Sequence, residues 1–180
     1  YLFEVGLIGQ DSKKYCGAGF GNVSQRLEPY IAPRGKRDFI ITGTQTGGLS
    51  ELEPEHYVLV QGYYPEKNLV YSQGLLAPSS ESMTHGVLYD LDVSLRYIFH
   101  VHSPNIWRRT NQLEILTTGE EVEYGTPEMA DEVRRLFLNT DLNARGIFAT
   151  RGHEDGVFTF GRTLEEAGAI LYKYYSRALE

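Results

Sequence analysis

His100 and His102 stand one residue apart at the end of the apolar run RYIFHVH (96–102). In an extended strand, residues i and i+2 project to the same side, so both imidazoles can approach one point, and imidazole nitrogen is a ligand suited to zinc. The same spacing also suits two hydrogen-bonded histidines at a sheet edge. A third imidazole, His153, lies in TRGHEDG (150–156) between two β-type runs, where a loop from a neighbouring strand can carry it over that edge. Three nitrogens with a fourth position open is the arrangement of a catalytic zinc, or of another divalent ion in its place.

Upstream, PSSESMTH (78–85) supplies Glu81 at a predicted helix start, with His85 one turn later on the same face. A partly enclosed carboxylate beside a dication can be tuned for proton transfer; the alternative is an ordinary first-turn Glu favoured by the helix dipole. Ser79 and Ser80 precede it, where free helix N-terminal N–H groups can seat a phosphate or where the hydroxyls can simply cap. Two Gly-rich turns, GAGFGNVS (17–24) and TGTQTGG (42–48), can present further N–H groups to the same anion, and neither has the spacing of a dinucleotide fingerprint. His85 reads as a packing residue behind the site. His56 and the pair Arg108–Arg109 read as surface, and Cys16 as an inert small side chain.

The elements that must position these groups are legible from periodicity. Short β-type runs occur at 22–27, 38–42, 56–61, 96–102, 146–150 and 156–160, each bounded by Gly, Pro, Asn or Asp. EDG (154–156) reads as the turn joining the last two. Helices are expected over 163–179, opened by Thr163 with Glu166 as a capping box and buried through Leu164, Ala167, Ile170 and Leu171; over 128–137, with Thr126 as cap and Pro127 at the first position; and over 80–91. Helices lying between groups of strands predict an α/β fold, a three-layer α/β/α domain over 1–180 with a central, largely antiparallel or mixed sheet.

Composition bounds the partners. A chain of 180 residues with 41% hydrophobic and 12% aromatic content can bury one substantial core. A net charge of −7 with dispersed Lys and Arg argues against nucleic acid. There is no apolar run of membrane-spanning length and no charged-then-apolar leader, so no membrane partner is expected. A single cysteine points to a reducing, cytoplasmic setting, and a start at Tyr1 suggests that an N-terminal segment precedes this numbering.

GNVS (21–24), the Thr/Gly turn before LSELEPEHYVLV, PSSESMTH, HVHS (100–103), YGTPEMADEV (124–133), GHEDG (152–156) and GRTLEEA (161–167), in that order, resemble the class II aldolase/adducin family of zinc enzymes acting on sugar phosphates. The resemblance implies that His100, His102 and His153 are zinc ligands and that Glu81 is the catalytic acid–base residue. It places Gly21, Asn22, Ser79 and Ser80 on positions that hold the substrate phosphate. In the 42–48 turn, either Thr44 or Thr46 with Gly47 takes that part; Thr46 and Gly47 are the expectation here. The stretch between His102 and His153 is shorter than in the sugar-phosphate aldolases, and neither of the family's auxiliary tyrosines can be matched to a position. The implied activity is that of a fuculose-phosphate-aldolase-like lyase, cleaving a sugar phosphate by a retro-aldol or related β-elimination step through a zinc-stabilised enediolate. The alternatives are a dehydratase or epimerase on the same site, or a non-catalytic adducin-like interaction module. The resemblance further implies a homotetramer.

Overall fold

The computed structural model describes residues 1–180. The sheet is built from β3 (Asn22–Arg26), β4 (Phe39–Thr42), β5 (Tyr57–Tyr64), β6 (Leu69–Gln73), β7 (Tyr97–His102), β8 (Leu116–Thr117), β9 (Ile147–Ala149) and β10 (Gly156–Gly161), in the spatial order β6-β5-β4-β3-β7-β10-β9-β8. Every neighbouring pair is antiparallel except β8–β9 at one edge. A separate two-stranded ribbon joins β1 (Gly9–Gln10) to β2 (Gly19–Phe20).

Alternation along the strands divides the interior into two layers. Ile98, Phe158, Phe160, Phe148, Ile41 and Val60 face α1 (Ser82–Leu91) and α3 (Pro127–Asn139). Phe99, Val101, Val157, Ile147 and Ala149 face α2 (Pro104–Arg108) and α5 (Leu164–Leu179). The fold is therefore α/β with helices on both faces of the sheet, as the order of elements requires. A fifth short helix, α4 (Leu142–Arg145), turns the chain into β9.

Local chemistry explains the helix boundaries. The Thr163 hydroxyl accepts the Glu166 N–H (3.1 Å), while the Glu166 carboxylate accepts the N–H of Arg162 rather than that of Thr163 (2.6 Å), so the reciprocal half of the expected box sits one residue earlier. The buried face of α5 is Ala167, Leu171, Tyr174 and Ala178; Leu164 is exposed, because the stripe continues towards the C-terminal end instead of beginning at the cap. The Thr126 hydroxyl caps α3 through Met129 N–H (3.2 Å), and Met129, Ala130, Val133, Leu136 and Phe137 form its buried stripe. The third predicted helix begins at Ser82, after a tight turn in which Ser82 N–H donates to Ser79 O (3.0 Å). Helix α1 is buried from Ser82 to Tyr89, and at Gly86 it approaches β5 so closely that a Cβ would lie 2.6 Å from the Tyr63 ring.

All six predicted strands form. Absent from the expectation are β1, β2, β6, β8, α2 and α4. The hairpin β9–β10 forms as expected, but its connection runs over 150–155 rather than through EDG alone.

Candidate metal centre and anion cleft

The site lies at the C-terminal end of β7, on the face covered by α1. Register aligns Asn22 of β3 with His100 of β7, and His100 in turn with Phe158 of β10. His102, two residues on, projects from the same face beside the β10 start at Gly156. The loop between β9 and β10 then returns His153 over both. Thr150 Oγ1 contacts the His153 and Gly156 carbonyls (3.3 and 3.2 Å), and Gly156 N–H donates to His153 O (3.1 Å), which closes the loop on itself.

Nitrogens of His100, His102 and His153 all lie within 4.8 Å of one another. Glu81, immediately before α1, reaches into the same point: its Oε1 is 3.0 Å from His100 Nε2 and 2.9 Å from His153 Nδ1. Neither approach has hydrogen-bond alignment, and Glu81 Oε1, both His100 nitrogens, His102 Nδ1 and His153 Nδ1 are buried without a partner. Burying unpartnered polar atoms costs roughly 1–3 kcal/mol each, so a cluster of them around one point is stable only if something occupies that point. Three imidazole nitrogens are the donor set of a divalent cation, with the Glu81 carboxylate beside them, and the residues therefore fit one.

Ionisation agrees. Burial, with His100 and His153 adjacent, drives the His102 imidazole down to about 2, so it stays neutral with a lone pair available for a ligand bond. Burial opposes the ionisation of Glu81, but the imidazoles of His100 and His153 outweigh it and hold the carboxyl well below the usual range. Glu81 Oε2 accepts from Asn22 Nδ2 (2.6 Å), which also donates to Ser79 Oγ (2.8 Å). Asn22 thus ties the carboxylate to the serine turn. His85 lies fully buried behind the site, its Nδ1 2.7 Å from Ser24 Oγ and its ring edge-on to Phe158 at 5.6 Å; burial, with His100 nearby, lowers it to about 3.

These groups open into a cleft of about 330 Å³ whose walls include Gly21, Asn22, Gly43, Thr44, Gln45, Gly47, Ser79, Ser80, Glu81, His102 and His153, with no Lys or Arg among the lining residues. At Gly21 (φ +79°) a Cβ would meet Ile8 at 2.6 Å and the His100 carbonyl at 3.2 Å, so only glycine lets this turn pass so close to β7. Of the 42–48 turn, Thr44 and Gly47 line the cleft. Thr46 is set behind it, its hydroxyl donating to Gly43 O (2.8 Å) and its side chain bordering a separate apolar cavity of about 650 Å³ on the α5 face, which holds none of the histidines.

Two tyrosines that sequence reasoning did not find complete the walls. Tyr124 stacks on His153 (4.3 Å between ring centroids, 28° between planes), and Tyr15 meets His102 edge-on (4.5 Å, 70°). The Tyr15 hydroxyl donates to Asp155 Oδ2 (2.6 Å); burial and the Asp155 carboxylate push its phenol up. YGTPEMADEV carries Tyr124, but it was read there only as a helix start and a family motif. Tyr15 lies in an aperiodic stretch and gave no signal. Cys16 is exposed on the cleft wall. Arg108 is exposed, and His56 accepts the Glu53 N–H (2.8 Å) at a turn far along the chain from the cluster.

This fold has known counterparts. Residues 10–177 match the family described as Class II Aldolase and Adducin N-terminal domain. The chain belongs to that family. Among solved structures it resembles an L-fuculose 1-phosphate aldolase (TM-score 0.68, 19% identity, 99% of this chain and 78% of that one). It is equally similar to a sugar-phosphate aldolase from Thermotoga maritima (0.68, 18%, 99% and 87%). YgbL from Escherichia coli, a putative aldolase/epimerase/decarboxylase, scores 0.67 at 17% identity over 99% of this chain and 81% of that one. At such identities the likeness is one of fold.

Proposed function

We propose that this protein is a divalent-metal-dependent lyase of the class II aldolase type that acts on a sugar phosphate, with zinc as the expected ion. The observation that carries this reading is the set of buried, unpartnered nitrogens of His100, His102 and His153 gathered with Glu81 Oε1 around one point. A cation bound there supplies Lewis-acid polarisation of a substrate oxygen. Glu81, ionised and fixed by Asn22, is placed to take a proton from the substrate and return it to the carbon released when the C–C bond breaks. Ser79, Ser80 and the turns at Gly21 and Gly47 would seat the phosphate through hydroxyl and N–H donors, since the cleft offers no cationic side chain. Asn22 belongs to this set through Ser79, its amide hydrogens being used on Ser79 and Glu81. We include in the reading a homotetramer, a cytoplasmic setting and one domain over 1–180. Half-exposed Tyr124 on the cleft wall leaves a face that a second subunit can cover.

Two measurements test this. Elemental analysis should find about one divalent ion per chain in the wild type and little in a His100→Ala/His102→Ala double mutant. A panel of ketose and aldose phosphates, assayed for cleavage, elimination and epimerisation with the metal-loaded protein, should reveal cleavage. Equal metal in both proteins, or no turnover of any phosphate by a fully loaded wild type, would remove the reading.

A further inference from the structure

One wall of the cleft is unlike the rest. The ribbon β1–β2 carries at its tip Tyr15, Cys16 and Gly17, three consecutive residues in left-handed backbone (φ 48, 56 and 78°), a conformation that is costly for the first two. Contacts on three sides hold it. Gln10 Nε2 donates to Gly17 O (2.9 Å), Gly19 N–H donates to Gln45 Oε1 (2.9 Å), and the Tyr15 hydroxyl donates to Asp155 Oδ2 (2.6 Å). Asp155 is only 5% exposed, and its other oxygen, Oδ1, is buried without a partner. Its backbone is pinned as well, with Ser103 N–H donating to its carbonyl (2.8 Å).

A phenol has one proton to give and lone pairs with which to accept. Tyr15 lines the cleft and its proton is committed to Asp155, so to any group that reaches the phenol its oxygen can only accept. The carboxylate behind it makes this wall electron-rich, whereas the turn at Ser79, tied to Asn22 beside His100, offers hydroxyl and N–H donors. The lining of the cleft therefore combines an acceptor at Tyr15 with donors at the Ser79 turn.

We propose that Tyr15, held by Asp155, is a specificity-determining residue whose phenolic oxygen accepts a hydrogen bond from a hydroxyl of the bound substrate. The cleft would then select polyhydroxylated chains and disfavour a second anionic group against Tyr15. This rests on the sugar-phosphate reading given above.

Sugar-alcohol phosphates carry no carbonyl and are not turned over, so their affinities can be measured by calorimetry on the zinc-loaded full chain. The probes are glycerol 3-phosphate, mannitol 1-phosphate and mannitol 1,6-bisphosphate. Tyr15→Phe should weaken mannitol 1-phosphate about three- to tenfold, the worth of one hydrogen bond between uncharged groups, and leave glycerol 3-phosphate unchanged. Asp155→Asn keeps an acceptor for Tyr15 while removing the charge, and should narrow the preference for mannitol 1-phosphate over the bisphosphate. A Phe variant that weakens both monophosphates equally, or neither, overturns the proposal, because a merely structural role would not change their ratio. An unchanged preference in Asp155→Asn overturns it independently of how the Phe variant folds. If none of the three binds the zinc-loaded wild type, the sugar-phosphate reading itself fails and takes this one with it.

Discussion

Replacing His85 with Gln removes a fully buried imidazole that is neutral in the folded protein, and the consequence for stability can be worked from its environment. Burial, with His100 nearby, lowers His85 from 6.5 to about 3. Because the folded-state value is depressed, the unfolded chain takes up a proton below pH 6.5 that the folded chain refuses. The neutral form's contribution is therefore fully present above pH 6.5 and is lost as pH falls from there towards 3. At about pH 5 the unfolded imidazole is favoured by some 1.5 pH units of protonation, which is roughly 2 kcal/mol. The native value lies so far below pH 5 that the figure depends almost wholly on the unfolded one. Urea unfolding at about pH 7.5 and 5, in chelator so that metal binding contributes in neither protein, measures it. Between those two conditions the wild type should lose about 2 kcal/mol more than His85→Gln, or about 4–8 °C in Tm for a chain of this size. Loss of the Ser24 hydrogen bond and of packing against Phe158 lowers the variant at both pH values and cancels from the comparison. A gap that changes by less than about 0.5 kcal/mol would show that His85 is not held neutral by burial.

Glu81→Gln should keep its metal and lose turnover by about 10²–10⁴-fold in kcat; a loss below about threefold would remove Glu81 from proton transfer. Phe158→Ala should cost about 3–5 kcal/mol in urea unfolding and weaken zinc binding in a competition titration, since the ring is buried, stacked on Phe148 (4.9 Å) and set under His100 (4.3 Å). Zinc affinity that survives this change would mean that His100 is positioned by the backbone alone. Light scattering at micromolar concentration should return a tetramer mass, and a monomer mass would refute that assembly.

The parts of this fold that sequence reading recovers are those with a repeating burial pattern or a cap. Helices α3 and α5 were legible because Thr126 and Thr163 mark their starts and an apolar stripe follows at helical spacing. Strand β7 was legible because it opens as an apolar, β-branched and aromatic run, Tyr97 to Phe99, and closes on alternating histidines. By contrast β6 is an edge strand whose Leu69 and Tyr71 are exposed along with their polar neighbours, so no alternation marks it. The elements β1, β2, β8, α2 and α4 are too short for any period to show. At the site, His100 and His102 were legible as a pair because strand geometry relates them over two residues, whereas Glu81 was singled out by its place at a helix start and by the family resemblance. Tyr15 was not, because its partner Asp155 is 140 residues away and the contact exists only once the sheet has brought the β9–β10 loop back to the ribbon. Whether the Thr46 hydroxyl faces the cleft or its own turn is decided by a bond to Gly43, a choice that residue type does not reveal.

The strict alternation along β7 also separates two properties that an engineer would want to adjust one at a time. Ile98, His100 and His102 face α1, while Phe99 and Val101 face α5 through the other side of the same six-residue strand. Repacking the α5 side, for instance by enlarging Val101 or filling the apolar cavity bordered by Phe99 and Leu171, alters how firmly the chain holds together without placing a new atom in the histidine cleft. Changes on the even-numbered side reach the histidine cluster directly. One strand thus offers two independent dials, thermal robustness on one surface and the histidine cluster on the other, and a library that varies only its odd positions should move the first while leaving the second where it stands.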